Sequence, residues 1–186
     1  MKKIAILLPY KENFTPQYAG AVSLLVKDIN LKSKYKKNVT VYGSTDYQLK
    51  YSVKYKNMKS KKYFFESGNI KYAENFLKFI KRDKTDLIEI HNRPATFNYL
   101  VKKVPNKKIL IYFHNDPLAL RGSISTKQRE SILNKASAVI FISEWTKKRF
   151  FKNLDLAENH DKVYIVYPSV NKKSFNKKKD KIILFV

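Results

Sequence analysis

Short apolar runs that each end in a polar cluster constrain this chain most. They are IAILLPY (4–10), NVTVYGS (38–44), LIEIHNRP (87–94), KKILIYFHNDP (107–117), SAVIFIS (137–143) and KVYIVYP (162–168). Continuous runs rich in Ile, Val, Tyr and Phe read as strands buried on both faces. Between them lie segments with helical spacing. AGAVSLLVKDINLKS (19–33) places Val22, Leu25, Val26 and Ile29 on one face, and IKYAENFLKFIKRDKTD (70–86) places Ala73, Phe76, Leu77 and Ile80 on one face. Pro94 suits the first turn of another helix. Ser125 with Gln128 has the spacing of a capping box, and Ser143 precedes Glu144 as an N-cap precedes a favourable first-turn acid. Strands alternating with helices predict an α/β fold: a Rossmann-like, doubly wound, mostly parallel sheet with helices on both faces. YSVKYK (51–56) alternates as an edge strand would.

The 186 residues suffice for one domain, and 44% hydrophobic content supports a packed core. No repeat of solenoid length recurs. The chain has no cysteine, which excludes a disulfide framework, a zinc ribbon and a thiol nucleophile, and fits a reducing compartment. MKKIAILLPY lacks the long apolar stretch of a secretory signal, and no run approaches the ~20 residues that span a bilayer.

Charge is the other extreme. Lys and Arg number 39 against 15 Asp and Glu, a net +24. Such a field attracts polyanions: nucleic acid, anionic lipid headgroups or phosphorylated glycans. The bland alternative is compositional drift in a chain rich in Lys, Asn, Ile, Tyr and Phe. Tyr and Phe interleave with Lys at 47–65 as on a nucleic-acid surface, yet no RNA- or DNA-binding signature is present.

Four glycines, Gly20, Gly43, Gly68 and Gly122, leave no G-x-G-x-x-G and no G-x-x-x-x-G-K-[ST]. His91, His114 and His160 never take H-E-x-x-H spacing, so no metal site is expected. No G-x-S-x-G elbow occurs. What is left is position. In doubly wound sheets, ligands sit outside the carboxyl ends of the strands. KENFTPQYAG (11–20), HNRP (91–94), HNDP (114–117) and SEW (143–145) converge there. A histidine there can donate a hydrogen bond or shuttle a proton. Asp116 can accept bonds from hydroxyls, or simply form a turn with Pro117. Amides near Gly20, at a helix N-terminus, favour phosphate.

The order of these clusters resembles the N-terminal domain of GT-B glycosyltransferases, in particular the retaining family 4 group that includes lipopolysaccharide-core enzymes. AGAVSLLVKDI is similar to that family's glycine-containing loop and helix, with Ala19-Gly20 in place of the usual Gly-Gly. DLIEIHNRP, KILIYFHND, ASAVIFISEWTKKRF and KVYIVYPSVNKKSF match its next segments in order, with PSVN in place of NGVD. The resemblance covers nearly the whole chain. It implies the N-terminal half of a GT-B fold: an acceptor-side domain at 1–168, a basic linker at 169–181, and the start of a nucleotide-sugar domain at 182–186. The intact protein is then a hexosyltransferase. It moves a sugar from a nucleotide-sugar donor to a glycan, polysaccharide or lipid-linked acceptor with retention, without a metal or other cofactor. This stretch alone is expected to be inactive, because the family's acidic motif lies in the second domain.

By the same resemblance, His114 contacts the donor sugar near the reacting centre. Ala19, Gly20, His91, Asn92, Arg93, Asn115, Asp116, Ser143 and Glu144 line the donor and acceptor sites. The lysines then dock the protein peripherally on an anionic membrane surface, at the cytoplasmic face of the inner membrane. Nucleic acid is not the expected partner. The competing reading is a basic Rossmann-like module that binds nucleic acid or another polyanion without catalysis.

Overall fold

A computed structural model describes residues 2–58, 68–156 and 160–168. The proposed linker at 169–181 and domain start at 182–186 lie outside the described residues, as does the 59–65 part of the Lys/Tyr-rich stretch. The chain alternates strands and helices in the order β1 (Ile4–Leu7), α1 (Ala21–Lys32), β2 (Val39–Gly43), β3 (Tyr55–Asn57), α2 (Gly68–Asp83), β4 (Leu87–His91), α3 (Pro94–Lys103), β5 (Lys108–Phe113), α4 (Thr126–Lys135), β6 (Ala138–Phe141), α5 (Glu144–Phe151) and β7 (Val163–Ile165). All seven strands pair in parallel, in the order β3-β2-β1-β4-β5-β6-β7. The edge strand expected at 51–56 is realised as the shorter β3.

Strand order reverses between β1 and β4, and the crossovers therefore use both faces of the sheet. Residues of α2, α3, α4 and α5 pack with Ile88, Ile90, Ile109, Ile111, Phe113 and Phe141 in the larger core. On the opposite face, Val22 and Val26 of α1 pack with Ile6, Leu8, Val39 and Val41. Each fully buried Ile or Phe contributes about 1.5–3 kcal/mol by leaving water. Phe97, fully buried on α3, is a position where truncation to Ala costs about 3–5 kcal/mol.

Most local signals are used as the sequence reading expects. Pro94 opens α3. Ser125 and Gln128 close a reciprocal capping box on α4, and Ser143 caps α5 in the same way with Thr146. On α1 the buried arc differs: it is Val22, Ser23, Val26 and Asn30, whereas Ile29 is 38% exposed. Asn30 tolerates burial because its Nδ2 donates to the Val26 carbonyl at 2.7 Å. Two of the described aromatics in the Lys/Tyr stretch are also spent on packing. Tyr55 stacks on buried Phe14, and Tyr51 meets that ring edge-on.

Candidate functional site

Parallel strands aim their carboxyl ends the same way, and side chains along each strand alternate between faces. Ile88 and Ile90 of β4 enter the larger core. Glu89 and His91 therefore point to the α1 face, together with Tyr112 of β5, which pairs with His91. His114 follows one residue after β5 ends. This register produces a continuous chain of polar groups. Glu89 Oε1 lies 2.7 Å from His91 Nε2, and His91 Nδ1 lies 2.9 Å from His114 Nε2. His91 is fully buried. Its ring stacks on Tyr112 with centroids 4.8 Å apart and on His114 at 5.1 Å.

Burial, reinforced by the neighbouring His91, lowers the His114 pKa from its ordinary value to about 3. A neutral imidazole there can accept or donate a hydrogen bond without carrying charge. Burial, and secondarily the Glu89 carboxylate, raises the Tyr112 phenol, so it stays protonated.

Asn92 locks the two histidine loops together. It sits in the left-handed region at φ 54°, which Asn tolerates better than most residues. Its backbone N–H donates to the Tyr112 carbonyl at 2.8 Å. Its Oδ1 accepts from the His114 and Asn115 amides, each at 3.3 Å. Arg93 forms the N-cap position of α3, and its Nη1 donates to the Asn92 carbonyl at 2.9 Å.

Asp116 spends both oxygens within the protein. Oδ1 accepts from the Leu118 amide, which makes the turn with Pro117. Oδ2 accepts from Arg149 Nε at 3.0 Å and Nη2 at 2.7 Å. Hydrogen bonding to Arg149 holds the Asp116 carboxyl below its ordinary range. The pair ties the His114 loop to α5. Ser143 and Glu144 open α5 as N-cap and first-turn acid.

Gly20 is the N-cap position of α1, preceded by Ala19. A carboxylate already stands at this N-terminus: Glu12 Oε1 accepts from the Ser23 amide at 3.1 Å. A Cβ placed on Gly20 would lie 2.0 Å from that oxygen, so the glycine is what admits it. The α1 end is thus occupied by an anion from its own loop, as the helix dipole and free amides favour.

The structure joins His91, His114, Asn92, Asn115 and Arg93 into one hydrogen-bonded cluster. Ala19 and Gly20 lie instead at the start of α1, beside Glu12. Sequence reasoning missed Glu89, Glu12 and Arg149. Glu89 was findable, since it sits two residues before His91 and shares its face. Glu12 and Arg149 carry no spacing signal toward Gly20 or Asp116. Among the described residues no three His, Cys, Asp or Glu side chains converge as metal ligands, and no helix is long and apolar enough to cross a membrane.

Residues 38–174 match the family described as Glycosyltransferase Family 4. YtcC of Bacillus subtilis strain 168, provisionally named a glycosyltransferase, is 22% identical over 173 residues, spanning 93% of this chain and 41% of YtcC. Several solved structures share the fold. The lipopolysaccharide outer core galactosyltransferase WaaB aligns with a TM-score of 0.62 and 16% identity, over 92% of this chain and 47% of WaaB. Anabaena HepE in complex with UDP-glucose aligns at 0.59 and 12%, over 90% of this chain and 44% of HepE. A glycosyltransferase from Rickettsia africae aligns at 0.59 and 19%, over 91% and 44%. The chain therefore spans less than half the length of these relatives, and it matches their fold across nearly its own full length.

Proposed function

The chain belongs to Glycosyltransferase Family 4, and on that premise we propose that it is the acceptor-side domain of an enzyme that moves a hexose from a nucleotide sugar to a glycan or lipid-linked acceptor, with retention at the anomeric carbon. The observation that carries this reading is the Glu89–His91–His114 chain, centred on buried His91, at the carboxyl end of the sheet. There, beside a topological switch point, doubly wound folds take their ligands. His114 is the candidate catalytic residue: its imidazole hydrogen-bonds the donor sugar. Asn92, Arg93 and Asn115 shape the acceptor side of the cleft. Asp116, Ser143 and Glu144 set the position of the loop and of α5 at its rim. A donor phosphate that reaches Ala19 and Gly20 displaces the Glu12 carboxylate from the α1 amides.

A UDP-linked hexose is the first donor to test, because HepE is solved with UDP-glucose. The reaction needs no metal in this reading, since basic groups and helix ends stabilise the leaving phosphate. In this reading the isolated domain is inactive, because the resemblance puts the family's acidic motif in a second domain. The lysines hold the enzyme on the inner, cytoplasmic face of an anionic membrane, where each Lys or Arg close to the surface contributes about 1 kcal/mol.

The test is transfer by the full-length protein from UDP-hexoses to glycolipid acceptors, with the product's anomeric configuration read by NMR. Retained configuration and activity in chelator support the reading. Inversion, or a strict metal requirement, contradicts it. Salt-insensitive failure to sediment with anionic liposomes removes the membrane part alone.

A further inference from the structure

Hydrogen-bond direction in the Glu89–His91–His114 chain fixes more than the position of His114. Ionised Glu89 has only acceptor oxygens, so its 2.7 Å contact requires a proton on His91 Nε2. In a neutral His91 ring the other nitrogen, Nδ1, then carries a lone pair. The 2.9 Å contact from His91 Nδ1 to His114 Nε2 therefore requires the proton to sit on His114 Nε2. In a neutral His114 ring that leaves Nδ1 unprotonated, and among the described residues no protein group is hydrogen-bonded to it. The opposite tautomer of either neutral ring would set two lone pairs or two protons against each other inside a closed contact.

We propose that Glu89 and His91 are positioning residues that hold neutral His114 in its Nε2–H tautomer and leave its Nδ1 as a hydrogen-bond acceptor at the carboxyl end of the sheet. The group that meets His114 is then a donor, a hydroxyl, and not a carbonyl or ether oxygen. Assigning that hydroxyl to a sugar rests on the transferase reading above; the tautomer itself does not. Two further observations support the arrangement. His91 has no exposed surface, so no water competes for its nitrogens. The His114 and Asn115 amides are both held by Asn92 Oδ1, which fixes the loop that carries the ring.

The experiment is nitrogen-15 NMR of the full-length, histidine-labelled protein at pH about 8. Long-range proton–nitrogen correlations separate the two tautomers without any need for activity. The expected result is His114 protonated at Nε2 only, with its Nε2–H and that of His91 both protected from exchange. Glu89→Lys replaces the acceptor by a donor. It should turn His91 to its Nδ1–H form and, through it, His114 to Nδ1–H, the tautomer an isolated imidazole disfavours.

A wild-type His114 protonated at Nδ1 overturns the proposal. So does a Glu89→Lys protein with a native amide spectrum and an unchanged His114. If Glu89→Lys does not fold, the exchange measurement on the unaltered protein decides: rapid exchange of both Nε2–H protons overturns the chain. Loss of transfer in every assay would leave the tautomer result standing, so failure of the transferase reading and failure of this proposal are distinguishable.

Discussion

The two ends of the sheet handle charge in opposite ways. At the carboxyl end, Glu89, His91, His114, Asp116 and Arg149 are each held by another side chain, and His91 is sealed from water. At the amino end, Lys3, Lys37, Lys54, Lys56 and Arg82 surround a cavity of about 370 Å³ with one carboxylate, Asp83. Lys56 and the Tyr42 hydroxyl both bind Asp83 Oδ2. Although desolvation opposes it, these bonds keep the Asp83 carboxyl below its ordinary range. The contrast separates two uses of polar residues. Buried partners that satisfy one another specify geometry, and removing one strands the rest. The exposed Lys37 and Lys54 supply a field, and each of these two is individually dispensable.

That contrast can be broken or sharpened by substitution. The largest effect is expected on turnover. In the full-length enzyme, His114→Ala should lower kcat/KM by about 10² or more, the usual scale for a group that stabilises a reacting centre. Next comes stability. His91→Leu leaves the half-buried Glu89 carboxylate and the His114 imidazole without their partner and should cost about 1–3 kcal/mol in urea unfolding. An equal cost for Lys54→Gln would erase the distinction between the two ends.

Acid sharpens the same point. Folding lowers the His114 pKa to about 3, so between its ordinary value of about 6.5 and that value only the unfolded chain binds the proton. Stability therefore falls as pH drops from about 6.5 toward 3, by about 1–3 kcal/mol from this group. The slope should shrink in His114→Asn, as pH-resolved denaturation will show. Gly20→Ala inserts a methyl where the Glu12 carboxylate sits and should cost about 1 kcal/mol in lost helix-end stabilisation. Smallest of all, Lys37→Gln with Lys54→Gln should change stability by less than about 0.5 kcal/mol while weakening co-sedimentation with anionic vesicles.

These expectations also mark what was legible in the sequence. The strands were, because parallel strands covered on both faces leave continuous apolar runs. The caps at Ser125 and Ser143 were, because their chemistry is local. So was the turn at Asp116, whose carboxylate accepts from Leu118 two residues on. The α1 face was read one step off, because apolar periodicity cannot foresee that Asn30 satisfies itself against Val26 and goes inside. Glu89 was legible in principle through strand alternation with His91. Glu12 over Gly20, and Arg149 on Asp116, were not: their partners lie eight and 33 residues away, and only the packed fold brings them together. Local rules thus recovered the scaffold and the histidines, and long-range pairing decided how those histidines are held.

The most direct test of the central claim compares His114→Ala with the Lys37→Gln, Lys54→Gln double variant in one transfer assay on soluble acceptor, with folding verified by circular dichroism. The account predicts a fall of about 10² or more for the histidine and near wild-type turnover for the lysines. A folded His114→Ala enzyme within a few-fold of wild type would contradict it.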